Sequence, residues 1–216
     1  MTQEAPLIRQ SGLALMGAGV LVIIVNAVIT PLLPRGVPFS DVAASTAFVW
    51  RQSLAAVAAA LLMFGAIGLY LRQADRTGWF GAFAFATALV GSALLLATEW
   101  LQLFEVRDVA LRAPETLNRL DAAGVGLDDI GAMAAMAVFV AGWIALAVSS
   151  RRSGLFPRHA TTLVIAGLFA TPFLSAVLPS LLAGAIGNAI LGAGWMWLGW
   201  DMWRSKTAVI ASHLPY

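Results

Sequence analysis

The chain contains long runs of apolar residues that no charged residue interrupts. From Ala160 to Trp200 there are 41 consecutive residues without Asp, Glu, Lys or Arg. About 20 helical residues cross the hydrocarbon core of a bilayer, so this run is about two crossings long. A turn is expected at its middle, where Pro179 is followed by Ser180. The pattern indicates that most of this chain folds in lipid.

Six runs of this kind predict six transmembrane helices. They are apolar on all sides, whereas the strands of a membrane barrel alternate lipid-facing and lumen-facing residues. Helices also satisfy every backbone polar group internally, as lipid requires. The predicted fold class is therefore all-α, a single domain over residues 1–216 formed by a bundle of six transmembrane helices. The predicted spans are Ser11–Thr30, Ser53–Leu71, Trp79–Thr98, Ile130–Ser149, Ala160–Leu178 and Leu181–Trp200.

The connection between the third and fourth spans has a different pattern. It contains Pro114 and Glu115, a proline and an acid of the kind found where helices begin. We predict a short amphipathic helix over residues 106–122 that lies on the outer surface, the alternative being a polar connector with one helical turn. Its apolar side would consist of Val106, Val109, Leu117 and Leu120.

The composition excludes a soluble globular domain. Charged residues make up 11% of the chain, against about 25% in typical soluble domains. The net charge of +2 comes from basic residues scattered over short loops. A nucleic-acid-binding face needs clustered Lys and Arg, so nucleic acid is not an expected partner. Membrane lipids are the expected surroundings, and a membrane protein partner or a second copy of the chain is a further possibility.

The basic residues also predict the orientation. With both termini inside, the inner segments carry eight of the 13 basic residues, which agrees with the positive-inside rule. Trp79, Trp197 and Trp200 would then lie at the inner interface, and Trp50 and Trp100 at the outer one. Twelve Arg against one Lys is typical of a GC-rich bacterial genome. We therefore expect a multi-pass protein of the bacterial cytoplasmic membrane with cytoplasmic N- and C-termini.

Small residues recur at four-residue spacing on three of the spans, among them the second with Ala55 and Ala59, or Ala56 and Ala60. Because lipid gives no hydrophobic driving force between helices, membrane helices associate through close packing that small residues permit. We expect these stripes to form helix contacts in a compact bundle. The other two stripes are Ala137, Ala141 and Ala145 on the fourth span, and Gly184, Asn188 and Gly192 on the sixth.

The polar residues within or beside the spans concentrate in the predicted outer half, and the inner half has almost nothing comparable. An ionisable residue held at a span boundary and turned inward marks a binding site or pathway. The sequence therefore predicts an outward-facing polar pocket, in which Arg51 and Glu99 lie on adjacent antiparallel spans and can pair. The predicted ligand-binding residues are Asn26, Arg51, Glu99, Asp129 and Asn188.

An alternative interpretation gives these residues structural roles only. Asp129, or its neighbour Asp128, would cap the fourth helix. Arg51 would extend to the membrane interface. Asn26 and Asn188 would form hydrogen bonds between helices.

Other chemistries find no support in the sequence. The chain has no cysteine, which removes disulfides, thiolate catalysis and cysteine-based metal sites. Its two histidines, His159 and His213, lie outside the spans, and no Ser, His and Asp converge as a catalytic triad. We therefore expect no cofactor, no metal site and no catalytic residue.

Several short motifs resemble those of a large uncharacterised bacterial family of six-helix membrane proteins, known only as a domain of unknown function. The resemblance implies the six-helix topology over roughly residues 12–204, and it implies no activity. Members often carry a polar residue, frequently His, soon after the Leu-Asp of the fourth span, where this chain has Gly131 and Ala132; no site is carried over. The motifs are Arg152–Arg158, Leu127–Asp129 and Leu69–Arg72 with Arg76 and Thr77 after it.

Three functions from different classes remain open at this point. The first is a non-enzymatic membrane protein that binds or moves a small amphipathic or lipid-like molecule through the outward-facing pocket. The second is an accessory or scaffolding subunit that packs against another membrane protein. The third is an intramembrane enzyme, which would require Glu99 and Asp129 to converge around a water-filled cleft.

Overall fold

The computed structural model describes residues 4–204, except for the side chains of Glu4, Ala5 and Asp128. Its regular structure over this range is helical. Two π-helical segments, Val25–Ile29 and Gln102–Val106, continue the first and third α-helices, and a short 3-10 helix, Thr30–Leu32, follows the first of them. The α-helices are α1 (Glu4–Ile24), α2 (Phe39–Ala44), α3 (Thr46–Leu101), α4 (Arg107–Arg112), α5 (Pro114–Ala122), α6 (Leu127–Ser153), α7 (Arg158–Leu174) and α8 (Ser180–Arg204).

Four helical segments are long and apolar enough to cross a membrane. This criterion rests on length and composition, and the segment around α3 is 67 residues long. Helix α7, with 17 residues, is shorter than each of these four segments. The four segments are Pro6–Leu32, Thr46–Arg112, Asp129–Ser153 and Ser180–Arg204.

Helix α3 folds back on itself at Gly78. This residue has φ 54° and ψ −145°, a backbone conformation that glycine adopts without steric cost. The rings of Tyr70 and Phe85 stack with centroids 4.6 Å apart, whereas 15 residues of a straight helix would separate them by about 22 Å. The helix therefore has two antiparallel arms, a first arm (46–77) and a second arm (79–101).

The helices follow one another around the bundle in a fixed order. The second arm packs against α6, the first arm against α1, α1 against α8, and α8 against α7. Helices α6 and α7 contact each other much less than these pairs do. We call this sparse contact the α6–α7 seam. We also call the end with Gly78 the inner end and the opposite end the outer end, following the predicted orientation.

Helices α1 and α8 approach so closely that only glycine fits at two levels. A Cβ atom on Gly12 would lie 2.7 Å from the carbonyl oxygen of Gly199, and one on Gly192 would lie 2.6 Å from that of Gly19. Real Cβ atoms essentially never come this close to another atom. The two contacts are seven residues apart on both helices, so a ladder of paired glycines joins α1 to α8.

The small-residue stripe predicted for the fourth span does not make the main helix contact of α6. Ala137 and Ala141 are exposed on the bundle surface. Instead, a Cβ on Gly142 would lie 2.5 Å from the backbone nitrogen of Ala88 on the second arm. The prediction was wrong for this helix because spacing alone does not say which face of a helix turns inward.

Aromatic residues fill the middle of the bundle. The rings of Trp143 and Trp195 pack edge to face with centroids 5.1 Å apart, and Phe139 lies against both. Trp143 Nε1 donates a 3.1 Å hydrogen bond to Ser92 Oγ, which itself donates to the carbonyl oxygen of Ala88. The indole N–H of this fully buried Trp is therefore satisfied, as a buried donor requires.

A small helical layer covers part of the outer end. Helices α2, α4 and α5 enclose an apolar cluster of Ala43, Phe48, Ala110 and Leu117. Asn118 and Ser40 bond reciprocally, joining α5 to α2. The region predicted as one amphipathic helix over residues 106–122 is thus two short helices separated at Ala113, and Leu120 is exposed rather than part of the cluster.

The inner end carries more polar structure than the sequence predicted. Arg72 on the first arm pairs with Asp201 on α8 at 2.7 Å and also donates to the carbonyl oxygen of Leu155. Its guanidinium lies over the Phe156 ring. The expectation of an almost apolar inner half was wrong. Arg72 lies just beyond the second predicted span and Asp201 just beyond the sixth. The helices extend past these predicted ends and include both residues. Gln73 on the first arm, and Ser149 and Ser150 on α6, are further polar side chains near the inner end that are fully buried.

Helix α7 ends four residues earlier than the fifth predicted span. The amide nitrogens of Ala176 and Val177 donate to the carbonyl oxygens of Phe173 and Leu174, which closes a tight turn after the helix. Hydropathy includes these apolar turn residues in the span. Pro179 disfavours helical geometry at Leu178, so the chain must leave α7 before this position.

Candidate ligand-binding cavity

The outer half of the bundle contains a cavity of about 550 Å³. Residues from α1, both arms of α3, α6, α7 and α8 line it. This volume lies within the range of about 300–1,000 Å³ that is usual for small-molecule pockets. The polar side chains of its lining are those of Asn26, Arg51, Glu99, Thr171, Asn188 and Trp195.

Four of the five residues predicted to bind a ligand line this one cavity. They are Asn26, Arg51, Glu99 and Asn188, from the π-helical segment that continues α1, the two arms of α3 and α8. These elements are antiparallel neighbours, so residues near their outer ends meet at the same level of the bundle. The structure therefore brings these four side chains together, and their role in binding remains a prediction.

Asp129 lies apart from the other four. Its side chain is exposed, and Asp129 Oδ2 accepts a 2.8 Å hydrogen bond from the backbone nitrogen of Gly126 at the start of α6. This arrangement satisfies a backbone donor at a helix N-terminus. Glu99 and Asp129 thus do not share the cavity as a pair of carboxylates. The side chain of Asp128, the other predicted cap of this helix, is not among those that the structure describes.

Arg51 and Glu99 form an ion pair at one side of the cavity. Arg51 Nη1 lies 3.6 Å from Glu99 Oε2, and Arg51 also donates to Gln52 Oε1. Gln52, which is fully buried, donates in turn to Gln102 Oε1. The guanidinium is therefore held by Gln52 on the first arm and by Glu99 on the second arm.

Glu99 Oε2 is the exceptional atom of this group. It is buried, and within the described part of the chain no hydrogen-bond donor reaches it. A buried acceptor without a donor costs about 1–3 kcal/mol, and more when it is charged. A ligand that brings an N–H or O–H group to this oxygen would recover that cost.

The two asparagines are satisfied by their own helices. Asn26 Nδ2 donates to the carbonyl oxygen of Val22, and Asn188 Nδ2 to that of Gly184, each at 2.9 Å. The structural alternative required these amides to form hydrogen bonds between helices, and neither amide nitrogen does so. Asn26 also lies in the π-helical segment Val25–Ile29, and π segments inside helices are frequent at functional sites.

The cavity extends from this polar region into the apolar middle of the bundle. On the first arm its lining runs from Arg51 to Leu62, which is about 16 Å along a helix. This depth is about half of a hydrocarbon core of ~30 Å. Trp195 and Phe139 lie among its apolar walls, and no described group accepts from Trp195 Nε1. The cavity thus has one polar end and one apolar end.

The exposed residues of the lining show where the cavity reaches the bundle surface. Met136 on α6 is 47% exposed, and Phe169 on α7 is 45% exposed. Pro172 on α7 is the third exposed residue of the lining. All three lie on α6 and α7, so the lining of the cavity is most exposed on the two helices that form the α6–α7 seam.

The sequence prediction missed three residues of this region. Gln102 lies three positions after Glu99, on the same helix face, and that spacing was an available signal. Gln52 directly follows Arg51 in the sequence, but only the structure shows that it turns inward. Trp195 gave no signal, because Trp is common near span ends and its rotation about the helix axis is invisible in the sequence.

Within residues 4–204, no group of three or more His, Asp or Glu residues forms a metal site.

Comparison with known proteins does not extend this description. The chain matches no protein-family model, no curated protein and no solved structure. The resemblance to an uncharacterised six-helix family therefore stays a prediction made from short motifs.

Proposed function

We propose that this chain is a non-enzymatic membrane protein that binds, or moves, a small amphipathic molecule in its outer cavity. The observation that carries this proposal is the division of the cavity into two ends. At one end lies an ion pair whose buried carboxylate oxygen accepts no hydrogen bond from the described residues, and the side chains that line the rest are mostly apolar. A molecule that matches both ends has a polar head group and an apolar chain.

The ion pair limits the chemistry of the head group. The guanidinium of Arg51 is a donor and favours an anionic or carbonyl oxygen. Glu99 Oε2 needs a donor, which an ammonium, amide or hydroxyl group supplies. A zwitterionic head group such as phosphoethanolamine offers both partners within one small unit, so it is the class that we infer.

Binding can be tested with a dodecyl phosphoethanolamine that carries bromine at the end of its chain, because bromine quenches tryptophan at contact. The protein is reconstituted in lipid nanodiscs, and the difference between the wild type and Trp195→Phe isolates Trp195. We expect saturable quenching. Arg51→Ala and Glu99→Gln should each weaken binding about tenfold, the effect of losing one charge-assisted hydrogen bond.

Two exposed residues of the same charge provide matched controls. Arg35→Ala and Glu115→Gln remove the same charges outside the cavity, and they should leave the affinity unchanged. Thermal unfolding of all four variants separates lost binding from lost fold. Quenching that does not saturate, or that is equal in all four variants, would contradict the proposed function.

We further propose that the bundle crosses the membrane six times, with both ends of the chain in the cytoplasm of a bacterial cell. The segment Thr46–Arg112 supplies two crossings because it reverses at Gly78. Helix α7 supplies another, since 17 residues reach about 25 Å and α7 packs along α8. Trp50, Trp79 and Trp100 are exposed near the ends of the arms, as expected of interfacial aromatic residues.

The topology predicts which positions an impermeant reagent can reach in intact cells. The chain lacks cysteine, so single cysteines can be placed at exposed positions without further changes. We expect a membrane-impermeant maleimide to label Asp121→Cys and Ala176→Cys in intact cells. Asp75→Cys and Arg158→Cys should react only after lysis. If Ala176→Cys and Arg158→Cys react from the same side, α7 does not cross and the count of six fails.

A further inference from the structure

We infer that the amphiphile enters the cavity sideways from the outer leaflet, between α6 and α7, and that it places a single apolar chain inside. This inference rests on the proposed binding function and adds the route and the class of ligand. It is carried by where the cavity is exposed, by how the helices around it are joined, and by its depth.

Helices α6 and α7 are each packed more closely against their other neighbours than against each other. Glycines bring the backbones of α7 and α8 together, since a Cβ on Gly194 would lie 2.7 Å from the backbone nitrogen of Val164. Gly142 brings α6 equally close to the second arm. Between α6 and α7, by contrast, contact is sparse. Separating α6 from α7 would therefore break fewer contacts than separating α7 from α8 or α6 from the second arm, where backbones meet closely.

The side chains at the seam are suited to contact with acyl chains. Met136 and Phe169 are apolar, they are about half exposed, and both line the cavity. Methionine has three rotatable bonds and a polarizable sulfur, so it adapts to apolar partners of varied shape. Both residues lie toward the outer ends of their helices, nine residues from the start of α6 and five from the end of α7. An opening here faces the outer leaflet.

The inner end of the seam is held closed. Only residues 154–157 connect α6 to α7, and Arg151 Nη1 donates to Thr162 Oγ1 across the two helices. Separation of α6 and α7 is therefore limited at the inner end and free at the outer end. Since the cavity is about one leaflet deep, a single chain inserted through the opening fills it with its head group near Arg51 and Glu99.

Cross-linking the seam tests the route. Met136→Cys and Phe169→Cys are combined in the cysteine-free chain and joined after folding with a flexible bismaleimide. The rate of quenching by the brominated dodecyl phosphoethanolamine is then measured in nanodiscs. We expect the cross-link to slow uptake at least tenfold relative to the same double variant without cross-linker.

A second pair of cysteines controls for cross-linking itself. Val57→Cys and Ala97→Cys join the two arms of α3 at exposed positions that line one groove away from the seam, and this cross-link should leave the rate unchanged. If the seam cross-link has no effect while binding still depends on Arg51, the lateral route is wrong and the proposed function stands. If no variant shows binding that depends on Arg51, the proposed function itself fails.

Discussion

Ala59→Phe is expected to reduce amphiphile binding by one to two orders of magnitude. Ala59 lies on the wall of the cavity between Arg51 and Leu62 and is almost fully buried. A phenyl ring at this position occupies the space of the apolar chain. Forcing both into the same volume costs about 1–3 kcal/mol, which corresponds to a loss of roughly 10- to 100-fold in affinity. Titration of tryptophan quenching by the brominated probe measures this loss.

Val57→Phe is the matched control, because Val57 lies two positions earlier on the same helix and is exposed on the outer surface of the bundle. The Val57→Phe variant adds the same phenyl ring outside the cavity, so it should bind the probe with wild-type affinity. The fold should tolerate Ala59→Phe, since the added ring fills an existing cavity; thermal unfolding checks this. Wild-type affinity in a folded Ala59→Phe variant would show that the ligand binds elsewhere.

The second large effect is expected at the glycine ladder between α1 and α8. Gly192→Ala places a methyl group 2.6 Å from the carbonyl oxygen of Gly19. This neighbour is backbone and cannot rotate away, so the two helices must separate. We expect a loss of about 1–3 kcal/mol in unfolding free energy, typical of overpacking. Denaturant unfolding in mixed micelles, followed by circular dichroism, measures it.

Gly184→Ala offers a control on the same helix. A Cβ at Gly184 meets no atom within 4 Å, so the substitution adds no clash. Alanine has the higher helix propensity, by about 1 kcal/mol, and Gly184→Ala should therefore be neutral or stabilising. Equal unfolding free energies for the two variants would mean that α1 and α8 do not approach as closely as described.

The candidate site could be predicted in large part because depth along a membrane helix can be read from sequence. Counting residues from the span ends places Asn26, Arg51, Glu99 and Asn188 in the outer half. Antiparallel neighbours then bring residues of equal depth together, which is how the structure arranges these four. Asp129 differs because α6 begins at Leu127, so its carboxylate satisfies the helix start instead of facing inward.

What could not be predicted is rotation about each helix axis and the choice of partner helix. Hydropathy is the same on all sides of these helices, so it does not indicate that Gln52 and Trp195 turn inward or that Ala137 turns out. The pairing of Gly12 with Gly199 depends on α1 lying beside α8, two elements at opposite ends of the described chain. Such a contact follows from the assembled bundle and not from local spacing.

The ion pair of Arg72 with Asp201 has a consequence for the direction of any movement. It ties the first arm to α8 and, through Leu155 and Phe156, to the connection between α6 and α7. These contacts join three elements at the inner end, and none of the four residues lines the cavity. If the cavity binds a lipid-like molecule as proposed, transfer of that molecule to the inner end would require these contacts to break, whereas its return through the outer half would leave them intact.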